Sequence, residues 1–133
     1  MNILITLPKN LIEKIISGEK RYEMRKCLPK HMKIGEDGFF VVEKGTDIVR
    51  CWCRVDKIMT LNLVMTEKIA KGLSNDLCVS PQFILNYSRT GNDVRLWEIG
   101  KVIKLQDLCR DSLFVDKNPQ QFAYCPLSYG ESY

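Results

Sequence analysis

Apolar residues fill the first strand-length of the chain, then recur at helical spacing, then switch to alternation. Residues 2–7, "NILITL", read as a short apolar strand. From Asn10 the apolar positions Leu11, Ile12, Ile15 and Ile16 share one helical stripe. Asn10, with Glu13 three residues on, has the pattern of a capping box, and Gly18 is placed to end the helix. Beyond Lys20 the period becomes two. Tyr22 and Met24 point one way, while Arg21, Glu23 and Arg25 point the other. The turn "IGEDG" precedes a strand over 39–44, and "KGTD" leads into a long strand over 47–58. On that strand Val49, Cys51, Cys53 and Val55 are expected on one face, and Arg50, Trp52, Arg54 and Asp56 on the other. Thr66 caps an expected helix over 67–73. Ser80 and Pro81 open another in cap-then-proline order, with Phe83, Ile84 and Tyr87 as its stripe and "RTGND" as its end. Residues 95–106 form a further strand with Trp97, Ile99, Val102 and Ile103 as core candidates, and a last short strand runs over 121–125.

The predicted order is strand, helix, three strands, two helices, two strands. Strands outnumber helices and several are joined by tight turns. This is a mostly β, α+β chain, and it fits a small mixed β-barrel with flanking helices. A doubly wound parallel sheet needs regular alternation and does not fit. The 133 residues carry no repeat, linker or low-complexity segment, so 1–133 is read as one domain.

The formal net charge of +4 permits contact with anions without requiring it. The six cysteines, Cys27, Cys51, Cys53, Cys78, Cys109 and Cys125, show no C-x-x-C pair, and the single histidine, His31, lies four residues from Cys27. We expect free thiols packed as small apolar groups, with no metal and no cofactor. "MNILITLPKN" has neither a basic leader nor a small-residue cleavage site, and no apolar run reaches the ~20 residues of a membrane span. The expected compartment is the cytoplasm, with no membrane partner. Oligomeric state is left open by the sequence.

Three ionisable groups stand where the first helix gives way to a strand, as Gly18-x-Lys20-x-x-Glu23-x-Arg25. Arg25 offers a planar donor fork suited to a phosphate or a base edge. Glu23 can accept from an exocyclic amine or orient its basic neighbours, and Lys20 supplies a mobile positive donor. The same trio also reads as an ion-pair network closing the helix–strand corner, and both roles can hold together.

The motif and the element order around it resemble the ASCH domain family, small PUA-like barrels. The resemblance extends over nearly the whole chain, including "RLWEIGKVIKL" and "PQQF". It implies a cleft between barrel and helices that holds RNA or a nucleoside. One branch of the family hydrolyses N4-acetylcytidine with a lysine, a threonine and a glutamate. This sequence keeps the lysine as Lys20, has Glu23 at the threonine position, and has no glutamate over 73–76, where the branch's glutamate falls. The implied function is RNA or modified-nucleoside binding around Lys20, Glu23 and Arg25. The alternatives are an amidohydrolase using Lys20 and Glu23, and a regulatory module for a small anion or a protein.

Other residues admit two readings each. Arg21 adds positive charge beside the motif. Trp52 between Arg50 and Arg54 can stack a base while the arginines meet phosphates, or can pack under a helix. Lys26, Lys30, His31 and Lys33 form a basic rim or a solvated loop. Gln121, Phe122 and Tyr124 return to the cleft in similar domains, or serve core packing. No local Ser or Cys triad pattern, Walker loop, Rossmann glycine pattern or zinc-deaminase signature occurs.

Overall fold

The computed structural model describes residues 1–62, 64–89 and 93–126. The elements are β1 (Asn2–Leu7), α1 (Lys9–Ile16), β2 (Tyr22–Arg25), β3 (Gly38–Glu43), β4 (Ile48–Leu61), α2 (Glu67–Leu77), α3 (Pro81–Ser88), β5 (Val94–Cys109), a 3-10 turn (Arg110–Leu113) and β6 (Ala123–Cys125). The order is the one the hydrophobic pattern predicts, and the class is α+β.

The six strands of the described residues join one mixed sheet in the order β2-β5-β4-β3-β1-β6. β1 runs parallel to β3, and the other neighbours are antiparallel. The sheet is barrel-like, but its backbone ladder stays open, with β2 and β6 at the two ends. Ile3, Ile5, Phe39, Val41, Cys51, Cys53, Val55 and Trp97 fill one face, joined by Ile12 and Ile15 of α1. Leu4, Phe40, Val42, Val49 and Trp52 line a second cluster with Leu113 of the 3-10 turn and Val115. Central strands are therefore buried on both sides, which is why β1 and β3 read as continuous apolar runs. α2 and α3 pack over β2 and β5 through Ala70, Leu77, Ile84, Met24, Val94 and Leu96.

Several local expectations are corrected. The capping box at Asn10 does not form: α1 starts at Lys9, and no side chain caps it. The Pro8 carbonyl instead accepts from the Leu11 and Ile12 amides at 3.1 and 3.2 Å. Val49 does not share a face with Cys51. Val41 faces Cys51 while the next residue, Val42, faces Val49, so Arg50 is an extra residue in β4. This bulge turns Val49 onto the side of Trp52. α2 continues to Leu77, past the expected end at 73, and stops where Cys78 takes a left-handed conformation, φ 57°. Thr66 and Ser80 do cap their helices, accepting from the amides of Ile69 and Phe83. Part of "RTGND" lies outside the described residues. β6 begins at Ala123, not at 121.

Gly38 opens β3 because nothing larger fits there. A Cβ on it would stand 1.7 Å from the Cys53 carbonyl oxygen. Its amide donates to Asn2 Oδ1 at 2.8 Å, and the same buried oxygen accepts from Trp52 Nε1 at 3.1 Å. Gly38→Ala must push β3 from β4, and urea unfolding should show a loss of about 3 kcal/mol or more.

All six cysteines are free thiols. Burial pushes the Cys125 thiol up to about 12 from its ordinary 9.0. The folded state thus holds the proton that the unfolded chain releases near pH 9. Stability should be full below that pH and fall between pH 9 and 12, by up to about 1.4 kcal/mol per pH unit for this thiol. Unfolding curves at pH 8 and pH 11 check the slope, and Cys125→Ala should lessen it, while the Cys27 and Cys53 thiols, also pushed up, keep the remainder.

Candidate functional site

The end of α1 delivers the motif. Ser17 closes the helix, Gly18 takes φ 85°, and the Lys20 amide returns to the Lys14 carbonyl at 3.0 Å. The Arg21 amide then bonds the Asp76 carbonyl at 2.8 Å, and the Arg21 carbonyl accepts from the Ile99 amide at 2.9 Å. These bonds fix the entry to β2 between the end of α2 and strand β5. From there the alternation of β2 sends Met24 into the apolar cluster beneath α2 and α3, and brings Glu23 and Arg25 together.

Lys20, Glu23 and Arg25 are 3%, 4% and 8% exposed, a rare degree of burial for charged residues. Glu23 is held from both sides. Its Oε1 lies 3.3 Å from Lys20 Nζ, and its Oε2 accepts from Arg25 Nε at 3.0 Å and lies 3.0 Å from Nη2. Lys20 Nζ also donates to the Leu77 carbonyl at 2.7 Å. That carbonyl ends α2, where the helix dipole favours a cation. Arg25 Nη1 donates to the Gln121 carbonyl at 3.1 Å, and Nη2 reaches the Thr6 carbonyl at 3.5 Å.

The trio lines one cleft of about 230 Å³. Leu7, Leu11, Leu77 and Val79 line it with the trio, as do Phe83 and Tyr87 of α3. The two rings lie nearly parallel, 18° apart in plane with centroids 6.2 Å apart. Phe83 is 52% exposed. Gln120 and Gln121 complete the lining. Tyr87 is half-buried. Burial pushes its phenol above the usual range, against the lowering effect of the Arg25 guanidinium and a hydrogen bond from the Lys26 backbone.

The structure brings Lys20, Glu23, Arg25 and Gln121 to this cleft and does not bring the other candidates there. Arg21 is exposed and outside the lining, contrary to its expected alignment with Glu23 and Arg25. Trp52 is buried in the second core, with its indole N–H on Asn2, and offers no open face beside the trio. Arg54 pairs with Asp56 at 2.6 Å on the far strand. Phe122 packs against the first core and meets Tyr124 edge-on at 5.2 Å. The expectation missed Leu7, Leu11, Val79, Phe83, Tyr87 and Gln120 as lining residues. Phe83 and Tyr87 carried a signal, since aromatics at i and i+4 of a helix share one face. By apolar character alone the pair reads as part of the helix's core-facing stripe.

Fold and cleft define a small barrel-like α+β domain with a Lys–Glu–Arg floor beneath a helical pair. This is the ASCH fold. The chain superposes on the crystal structure of ASCH from Zymomonas mobilis with a TM-score of 0.71 at 14% identity, over 92% of this chain and 86% of that one. Two single-residue variants of the same protein superpose at 0.69 and 0.68, at 14% and 15% identity, over 92% of this chain and 87% and 88% of theirs. By sequence, no family profile and no curated relative matches the chain.

Removing the carboxylate leaves two buried cations without their counter-charge. Glu23→Ala should therefore destabilise the fold by about 3–5 kcal/mol, read as a lower urea midpoint. Glu19→Ala, which removes an exposed partner of Lys14, should leave the midpoint close to wild type.

Proposed function

We propose that the chain is a cytoplasmic ASCH domain that binds a nucleobase, presented by RNA or by a modified nucleoside, in the Lys20–Glu23–Arg25 cleft. One observation carries the reading: a buried, hydrogen-bonded polar floor meets a half-exposed aromatic wall in a cavity of about 230 Å³. That combination suits a flat ligand with a polar edge and an apolar face. The volume suits a single base better than a helical stretch of nucleic acid.

Binding is favoured over amide hydrolysis by the state of the carboxylate. Among the described residues lining the cleft, Glu23 is the sole carboxylate, and both its oxygens are committed to Lys20 and Arg25. A general base needs a lone pair within hydrogen-bond reach of the proton it abstracts, and these contacts leave Glu23 few to offer. Residues 73–76 add no carboxylate to the lining.

Phe83 tests the reading, since its half-exposed ring can be removed without opening the core. Titration calorimetry with ribonucleosides and short single-stranded RNAs should give saturable binding to the wild type. Phe83→Ala should weaken it by roughly 5- to 100-fold, as expected for loss of one base–aromatic stack. An unchanged affinity in that variant, or no saturable binding to either ligand class, would remove the cleft as a base site.

A further inference from the structure

The charges around the cleft do not balance. Lys20 and Arg25 share one carboxylate, Glu23. Arg95 of β5 sits directly opposite Arg25 of β2 in the strand register. Like charges placed so across a ladder repel. The Arg95 guanidinium donates through Nη1 to the Lys26 carbonyl, while its Nε is buried with no acceptor among the described residues. A buried guanidinium N–H without a partner is uncommon and calls for an account.

Lys26 follows the motif directly. Its Nζ stands 4.8 Å from the centroid of the Tyr87 ring, and Tyr87 lines the cleft. Among the described residues no carboxylate lies within ion-pair distance of it. The chain thus holds an ammonium over a ring that lines the cleft, on a backbone whose Lys26 carbonyl is tied to Arg95. The ring face gives that ammonium modest stabilisation and leaves its donors for an incoming acceptor.

We infer that the cleft takes its base as a phosphorylated nucleoside, with Lys26 as the phosphate subsite and the Arg25–Arg95 pair supplying a positive field behind it. This rests on the base-binding reading above and adds the anion. The phosphate can belong to a free mononucleotide or to the backbone of RNA, and both present the same anionic oxygens to a lysine acting as a point charge.

The experiment compares the four ribonucleosides, their 5′-monophosphates and single-stranded RNA tetranucleotides, titrated into wild type, Lys26→Gln and Lys33→Gln at low and moderate salt. Lys33 lies in an exposed pair with Glu36 and serves as the control cation. For the base that binds, the wild type should prefer the phosphorylated form by about tenfold, a typical gain for one charge-assisted contact. Lys26→Gln should bring that ratio close to one, and Lys33→Gln should leave it. Preference for the 5′-monophosphate points to a mononucleotide, and preference for the tetranucleotide to RNA. Equal binding of nucleoside and phosphorylated forms to the wild type overturns the phosphate subsite while keeping the base site. A preference that survives Lys26→Gln overturns the assignment to Lys26. Absence of binding by every form sinks the base-binding reading, and the inference with it.

Discussion

The burial of Glu23 between two cations is the interaction on which the rest of this structure depends. A carboxylate at 4% exposure is costly unless every oxygen is paired. Here each oxygen has a cationic donor. Those donors are in turn tied to backbone carbonyls on three different segments: Leu77 at the end of α2, Gln121 ahead of β6, and Thr6 in β1. One side chain on a four-residue strand thereby links the helical pair to both ends of the sheet.

That linkage explains how an open ladder acts as a barrel. β2 and β6 end the sheet and do not pair with each other. β6 pairs with Asn2, Ile3 and Leu4 of β1, so among the described residues the far end of β1 has no strand along its outer edge. The Thr6 carbonyl lies in that uncovered stretch, and the Arg25 guanidinium reaches it from β2. A backbone edge left unpaired is normally a liability. A guanidinium fork satisfies it with planar donors where no strand fits. The seam that the side chains close is also where the cleft opens.

Much of this was legible in the amino-acid order. The strand and helix sequence follows from period and caps, since Thr66, Ser80 and Pro81 are strong local signals. The motif trio was legible because the period of β2 sets Glu23 and Arg25 on one side. What failed was decided by tertiary context. The bulge at Arg50 flips Val49, and no sequence period announces one extra residue in a fourteen-residue strand. Trp52 was legible as either a stacking platform or a core residue, and the choice fell to Asn2, fifty residues away, whose side-chain oxygen receives the indole N–H. Phe83 reads as core by its apolar character, yet only Ile84 of its stripe turns fully inward. α3 is short and packs by one edge, so its outward aromatic pair becomes the cleft wall.

On the proposed reading, the atoms that serve stability also serve recognition. A network assembled only for stability would do as well with apolar side chains of similar volume, since buried ion pairs rarely gain over them. This one instead keeps three ionised groups at the bottom of an open cleft, walled by aromatics and leucines. Because Lys20 and Arg25 are anchored on carbonyls, their remaining donors are aimed before any ligand arrives, and ordering them costs little on binding. The fold thus holds in place, for structural reasons, the polar edge that a flat ligand would need, and under the proposed phosphate subsite the surplus of positive charge around Arg25, Arg95 and Lys26 would decide which flat ligands gain most from it.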